Sequence, residues 1–260
     1  MKMTSSQWFG LSILLGLLVF ALLGISLSPF SMSEQNLDAI MQPPSTAHWF
    51  GTDHFGRSML TRMAHAVCLS FSLSLLCMLT SSLLGTAFGV WAVWGGKKID
   101  ATLGIIVNIL LALPGLVVVL LFSAIVPGSF LMLYLAISLV QWVEYFRVIR
   151  AITQGVIQSP ARQSSEMMGF GRWYQFKRHI WPAISPSLFT LAAFGGANAV
   201  LTMASLGFVS VGIQPPLAEL GLMTVELFPY YSDAPWLLAQ PLVVIAMMVL
   251  AFHLLAGKRA

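Results

Sequence analysis

Long apolar runs separated by short polar connections dominate the 260-residue chain. A helix rising 1.5 Å per residue needs about 20 residues to cross the hydrocarbon core of a bilayer, and six runs are long enough. They cover residues 8–27, 67–94, 101–126, 130–149, 188–211 and 236–255. Because lipid offers backbone groups no hydrogen-bond partner, each run is expected to be helical. The pattern therefore predicts an all-α protein with six transmembrane helices.

Three of the runs carry features of their own. The first is longer than the apolar part of a secretion signal and lacks a small-residue cleavage site, so an uncleaved anchor is favoured over a signal peptide. Gly85 and Gly89 form a small-xxx-small pattern, for which close packing inside the bundle is the preferred interpretation. Pro114 and Gly115 predict a kink in the third run, because proline removes a helical hydrogen bond.

Composition and charge refine this picture. Hydrophobic residues make up 58% of the chain and charged residues only 8%, against roughly 25% charged in soluble domains. With the amino terminus in the cytoplasm, only two of the 13 basic residues, Arg57 and Arg62, fall outside. The positive-inside rule then places both termini, with Lys2, Lys258 and Arg259, in the cytoplasm. The outer segments become 28–66, 127–129 and 212–235, and the +4 net charge needs no nucleic-acid partner.

The chain shows no sign of catalytic chemistry. Gly95, Gly96 and Lys97 lack the spacing and the hydroxyl residue of a phosphate-binding loop, and no nucleophile, base or paired carboxylates stand in a credible cleft. Cys68 and Cys77 lie on one predicted helix, about 13.5 Å apart along its axis, so they are expected to be packing residues without a disulfide. We expect neither an enzyme nor a cofactor-binding chain.

The longest inward connection, residues 150–187, has its own local pattern. Ser159 and Pro160 suit the start of a short helix, and Gly169 suits a left-handed end. A second short helix should follow and end at Pro182. A connection this long favours a docking site for a soluble protein, while a helix lying on the lipid headgroups is the alternative.

This connection resembles the loop of permease subunits of ABC importers. That family has a Glu-Ala-Ala motif, then a glycine, then a hydrophobic-x-Pro ending, and its short helix couples to a cytoplasmic ATPase. Here Gln163, Ser164 and Ser165 replace Glu-Ala-Ala, with Glu166 as a substitute charge. The resemblance assigns ATPase coupling to Gln163, Ser164, Ser165, Glu166, Gly169, Arg178, His179 and Pro182.

Two further segments resemble the C-type permeases of dipeptide, oligopeptide and nickel importers. Residues 48–62 match an outer signature through Gly51, Thr52, Asp53, Gly56, Arg57 and Arg62, and residues 212–255 resemble the ending of that family. Ser58 and Asn108 depart from it, each standing where the family usually has Asp. We expect the two glycines to bracket an Asx- or ST-type turn that caps the helix leading into the second span. Asp53 is expected to pair with Arg57, four residues on. A structural role is favoured for this pair, and a role in gating stays open.

Few side chains could contact a substrate within the membrane. Apart from Glu144, near the inner end of the fourth run, no ionisable residue is expected deep in any run, which argues against a proton- or ion-coupled secondary transporter. Polar candidates for the pathway are Asn108, Gln141, Asn198, Thr202 and Ser205, each of which is also a candidate for an interhelical hydrogen bond. His48, His54 and His65 do not have the spacing of a recognised metal site.

The resemblance implies a six-helix type I permease of the bacterial cytoplasmic (inner) membrane. Residues 1–66 would form the anchor and outer segment, and 67–260 a five-helix core with the coupling loop 150–187. Expected partners are a second permease, two ATPase subunits that bind ATP and Mg, an outer substrate-binding protein and lipid. The substrate would be a nickel or metal chelate or a short peptide, with a slight lean toward nickel-type relatives. A secondary transporter and a membrane scaffold are the alternatives.

Overall fold

The chain folds as a bundle of α-helices. The computed structural model describes residues 3–257, so Lys2, Lys258 and Arg259 lie outside the described residues. Within this part the only β pairing is one bridge between Thr52 and Ser58, which confirms the all-α prediction. The helices are α1 (Ser5–Leu27), α2 (Met59–Trp94), α3 (Lys97–Leu111), α4 (Gly115–Ile125), α5 (Phe130–Ile157), α6 (Pro160–Met167), α7 (Arg172–Gln175), α8 (Trp181–Phe208), α9 (Leu220–Leu227) and α10 (Pro235–Ala256).

Five helical segments are individually long and apolar enough to cross a membrane, and α3 with α4 makes a sixth if this bent pair counts as one span. These two helices meet at an angle of 81° around Pro114, so the kink prediction is confirmed. The predicted ends of other runs were wrong, because helices continue into polar sequence. In particular, α2 begins at Met59, not at residue 67, and α5 ends at Ile157, not at residue 149.

The pairing of α2 with α5 depends on glycine. A Cβ atom at Gly85 would lie 2.9 Å from the backbone nitrogen of Phe146 and would collide with the Cβ of Tyr145. A Cβ at Gly89 would lie 3.1 Å from Ile149 Cβ. The predicted close helix approach at the small-xxx-small pattern is therefore confirmed.

We expect Gly85→Ala to lower the free energy of unfolding by roughly 1–3 kcal/mol, because the added methyl overpacks a contact made largely by backbone. Thermal unfolding of the purified protein in detergent measures the effect. Gly16→Ala is the matched control, since Gly16 has no atom within 4 Å of its Cβ position. Equal melting temperatures for the two variants would contradict the prediction.

The first helix is joined to the last. A Cβ at Gly10 would lie 2.7 Å from the carbonyl oxygen of Ala251 on α10. The amide of Gln7 donates hydrogen bonds to the carbonyl oxygens of Leu255 at 3.1 Å and Gly257 at 2.9 Å. The amino-terminal helix thus packs against the end of the chain.

The segment predicted as the loop 150–187 is mostly helical. The start of α6 at Ser159 and Pro160 and the left-handed φ of +81° at Gly169 are both as predicted. The predicted helix end at Pro182 was wrong. From Arg172 the chain passes through α7 and a π-helical turn, Phe176–Ile180, directly into α8. Pro182 lies in the first turn of α8, directly after the π-helical turn, and its missing N–H cannot donate to that preceding turn.

Both cysteines are free thiols, Cys77 buried and Cys68 partly buried. Cys77 packs in a core cluster with Leu73 on α2 and Leu133 on α5, and Cys68 packs beside another core cluster. Their predicted role as packing residues is confirmed.

Candidate functional site

The outer signature forms a turn around the carboxylate of Asp53. Oδ1 of Asp53 accepts hydrogen bonds from the backbone N–H groups of Phe55 at 2.8 Å and Arg57 at 2.9 Å. Gly51 and Gly56 have φ values of +78° and +71°, a left-handed conformation that glycine adopts readily. The predicted side-chain-capped turn is confirmed. The prediction that it caps the following helix was wrong, because the N-cap residue of α2 is Ser58 and its side chain makes no capping hydrogen bond.

Thr52 attaches this turn to the preceding segment. Its hydroxyl donates to the carbonyl oxygen of Ala39 and accepts a hydrogen bond from the N–H of Gln42 at 2.9 Å. Thr52 is fully buried, so both contacts are shielded from water. The outer segment before α2 is therefore folded against itself through side-chain hydrogen bonds.

Two arginines link Asp53 to Glu226 on α9. Oδ2 of Asp53 accepts from Arg57 Nε and from Arg62 Nη1, both at 2.6 Å. Oε2 of Glu226 accepts from Arg62 Nη2 at 2.6 Å and from Arg57 Nη2 at 3.3 Å. The predicted Asp53–Arg57 pair is confirmed, although a turn and not a helix sets its geometry. The four charges balance, and the network joins the outer segment to the connection between α8 and α10.

The environment keeps Asp53 ionised. Burial acts to raise the pKa of Asp53, but the positive charge of Arg62 and the N–H of Arg57 outweigh it, so the pKa lies below its ordinary value of 3.8. A lowered carboxyl pKa stabilises the fold above the unfolded-state pKa. This contribution is lost only as the pH falls below 3.8 toward the folded-state pKa.

The outer histidines contact aromatic rings. His54 stacks on Tyr230 with ring centroids 5.2 Å apart, and burial lowers the pKa of His54. His48 packs against Phe30 with centroids 4.8 Å apart, while His65 lies on α2. Among residues 3–257, no three His, Cys, Asp or Glu side chains are grouped closely enough to hold a metal ion.

Glu219 is a buried carboxylate that the sequence analysis did not single out. It caps α9, with Oε1 accepting from the N–H of Gly221 at 2.9 Å and Oε2 from that of Leu222 at 2.7 Å. Burial raises the pKa of Glu219 from 4.5 to about 7. Glutamate is not among the preferred N-cap residues, so the sequence carried no signal for this role.

We expect Glu219→Gln to flatten the pH dependence of stability. Because the folded-state pKa of about 7 lies above the ordinary 4.5, the folded protein binds more protons in this window, and stability falls as the pH rises through it. Thermal unfolding at about pH 5 and about pH 8 should show a decline of roughly 1–3 kcal/mol that the variant lacks. Glu34→Gln, at an exposed carboxylate, should retain the decline. A wild-type decline that persists in Glu219→Gln would show that another group is responsible.

The predicted coupling residues lie at the opposite end of the bundle. Gln163, Ser164 and Gly169 are exposed, and the hydroxyl of Ser165 is 2.8 Å from Nε2 of His179. Glu166 pairs with Arg162 at 2.9 Å, one turn earlier in α6. Arg178 is exposed on the π-helical turn. With Pro182 in the first turn of α8, these residues lie on or close to the helical hairpin between α5 and α8.

The same hairpin exposes apolar side chains that sequence reasoning missed. Met167 and Met168 at the end of α6 are 88% and 74% exposed, and Trp173 is 74% exposed. Arg150 near the end of α5 makes a two-point ion pair with Asp100 on α3, and its Nη2 lies 2.6 Å from Oδ2. This end of the bundle therefore has an ion pair between α3 and α5 and, on the hairpin, three exposed apolar side chains.

Four of the five candidate pathway residues line one cavity of about 240 Å³ between α4, α5 and α8. They are Gln141, Asn198, Thr202 and Ser205, joined by Glu144. The amide of Gln141 donates to the carbonyl oxygen of Gly195 at 2.8 Å, and its Oε1 is buried without a partner in the described part of the chain. Asn108 lies apart, in a cavity of about 470 Å³ that Asp100 and Arg150 also line.

The structure is a bundle of helices long enough to span a membrane, with a partly polar cavity between α4, α5 and α8 and an exposed helical hairpin at one end, an arrangement suited to membrane transport. The chain belongs to the family of binding-protein-dependent transport system inner membrane components, whose model matches residues 81–257. It is an ABC importer permease of the dipeptide/oligopeptide family and a multi-pass, non-catalytic protein of the inner membrane.

Three relatives illustrate the similarity. The dipeptide transport system permease protein DppC of Haemophilus influenzae is 30% identical over 260 residues, covering 98% of this chain and 88% of the relative. DppC of Escherichia coli is 32% identical over 252 residues, covering 95% and 84%. The glutathione transport system permease protein GsiD of Pectobacterium atrosepticum is 28% identical over 246 residues, covering 92% and 82%.

Proposed function

We propose that this chain forms half of the translocation pathway of an ATP-driven importer of short peptides. A second, similar permease would supply the other half, two cytoplasmic ATPases would bind ATP and Mg, and an outer binding protein would deliver the substrate. The excess of basic residues at the α6 end supports placing that end and both termini in the cytoplasm.

The proposal rests on one observation: the helices that line the cavity are the same helices that the exposed hairpin joins. The cavity walls include Gln141 on α5 and Asn198 on α8, and these are the two helices that α6 and α7 join. Force applied to the exposed hairpin by a cytoplasmic partner would therefore reach the cavity walls through continuous helices. Such a helix bundle with two stable arrangements is a basis for alternating access.

Short peptides are the proposed substrate class because the relatives are named for dipeptides and glutathione. A free peptide carries an ammonium and a carboxylate group, and the cavity offers the carboxylate of Glu144 together with neutral polar groups. The lean toward nickel had rested on the residues around His48 and His54. The relatives' names do not support it, and we do not propose nickel.

The test is co-purification followed by reconstitution. The affinity-tagged chain, expressed with its neighbouring genes, should recover an ATPase and a second permease. In vesicles, a peptide-loaded binding protein should stimulate ATP hydrolysis and peptide uptake together. Recovery of no ATPase would favour a scaffold, and peptide uptake without ATP hydrolysis would favour a secondary transporter; either result would overturn the proposal.

A further inference from the structure

An apolar groove of about 590 Å³ opens between the end of α2 and the segment from α7 to the start of α8. It is separate from the polar cavity and lies at the same end of the bundle as the coupling hairpin. Aromatic rings make up much of its wall, with the Trp94 and Trp173 rings 6.2 Å and 5.8 Å from that of Phe176. The aromatic and charged residues that line the groove are Trp91, Trp94, Trp173, Phe176, Trp181 and Arg172.

Three polar groups along this groove have no partner within residues 3–257, and one of them is the buried hydroxyl of Thr86. Arg172 is exposed and lies in no ion pair within this part of the chain. The indole Nε1 of Trp94 is buried and has no hydrogen-bond acceptor there. The accessible wall of the groove is apolar, because Trp94 Nε1 and Thr86 Oγ1 are buried, and the exposed side chain of Arg172 supplies a positive charge beside it. A ligand that satisfies it must combine an anionic, oxygen-rich head with a hydrocarbon chain.

Tryptophan side chains are enriched at the depth where lipid headgroups meet hydrocarbon. Four of the groove residues are tryptophans contributed by α2, α7 and α8, a composition typical of that depth. Basic pockets between membrane helices are suited to anionic lipid headgroups. We propose that the groove binds an anionic phospholipid, with the phosphate on Arg172 and an acyl chain along the tryptophans.

Quenching of tryptophan fluorescence by brominated lipids tests this site directly. The full chain, assembled with its permease partner, is reconstituted in vesicles with equal fractions of brominated phosphatidylglycerol or brominated phosphatidylcholine. We expect the anionic lipid to quench at lower mole fraction, by about tenfold in apparent affinity, as one charge-assisted contact predicts. Arg172→Ala should remove this preference.

Lys98→Ala is the matched control, because Lys98 is an exposed cation at the same end of the bundle and does not line the groove. It should retain the preference for phosphatidylglycerol. Equal quenching by the two lipids in the unmodified protein, or a preference that survives Arg172→Ala, would overturn the proposal. Groove tryptophans that neither lipid quenches would show that the second permease fills the groove, which also overturns it.

Discussion

Asp53→Ala is expected to lower the free energy of unfolding by roughly 3–5 kcal/mol, the cost of breaking a buried ion pair by removing one partner. Asp53 is fully buried, and Arg62 is 2% exposed. Without the carboxylate, two guanidinium groups share only Glu226, and two backbone N–H groups lose their acceptor. Thermal unfolding in detergent should show a large fall in the melting temperature.

Asp38→Asn is the control for this prediction, because Asp38 is an exposed carboxylate of the same outer segment. It should leave the melting temperature nearly unchanged. The same pair of variants separates the structural role of the Asp53–Arg57 pair from gating. An Asp53→Ala protein that melted like the wild type but failed to transport would contradict the structural role and assign a gating role.

Met167→Asp and Met168→Asp are expected to reduce recovery of the ATPase by at least about tenfold, which corresponds to roughly 1.4 kcal/mol of binding free energy. Both methionines are exposed at the tip of α6, and an exposed apolar patch marks a protein-binding surface. Burying a new carboxylate against a partner costs more than this. The measurement is the ratio of ATPase to permease after affinity purification, together with peptide-stimulated hydrolysis.

Ser33→Asp adds the same negative charge at an exposed position of the outer segment, at the other end of the bundle. It should leave ATPase recovery unchanged. If the methionine variants kept full recovery and stimulation, α6 would not be the contact with the ATPase, and the coupling assignment for this hairpin would fail.

Much of this fold could be predicted from the sequence, because a membrane restricts the structures that can span it. The backbone groups of a long apolar run find no hydrogen-bond partner in lipid, so the run is expected to form a helix that satisfies them internally. This is why the membrane-length helices could be predicted. Local chemistry was equally informative, because the left-handed Gly169 and the break at Pro114 follow from single-residue backbone preferences. Helix ends were not predictable, since residues 59–66 of α2 are helical through packing while their sequence is partly polar.

Contacts between residues far apart in the sequence could not be predicted either. Arg62 pairs with Glu226, 164 positions away, and no local pattern in a single sequence indicates such a partner. Four polar pathway candidates share a cavity because α5 and α8 are neighbours in space, whereas Asn108 is separated from them by the 81° bend between α3 and α4. Glu219 was missed because its capping role depends on burial.

The length of α2 has a mechanical consequence. Its 36 residues form a rod about 54 Å long at 1.5 Å per residue, with no proline to act as a hinge. Arg62 ties one end to the outer charge network, and Trp94 lines the lipid groove at the other. A tilt of about 10° around the middle would move each end by roughly 5 Å in opposite directions, given that helix rise. Such a tilt would move the outer charge network and the inner groove in opposite directions. The glycine contact with α5 lies closer to the inner end of α2 than to its outer end.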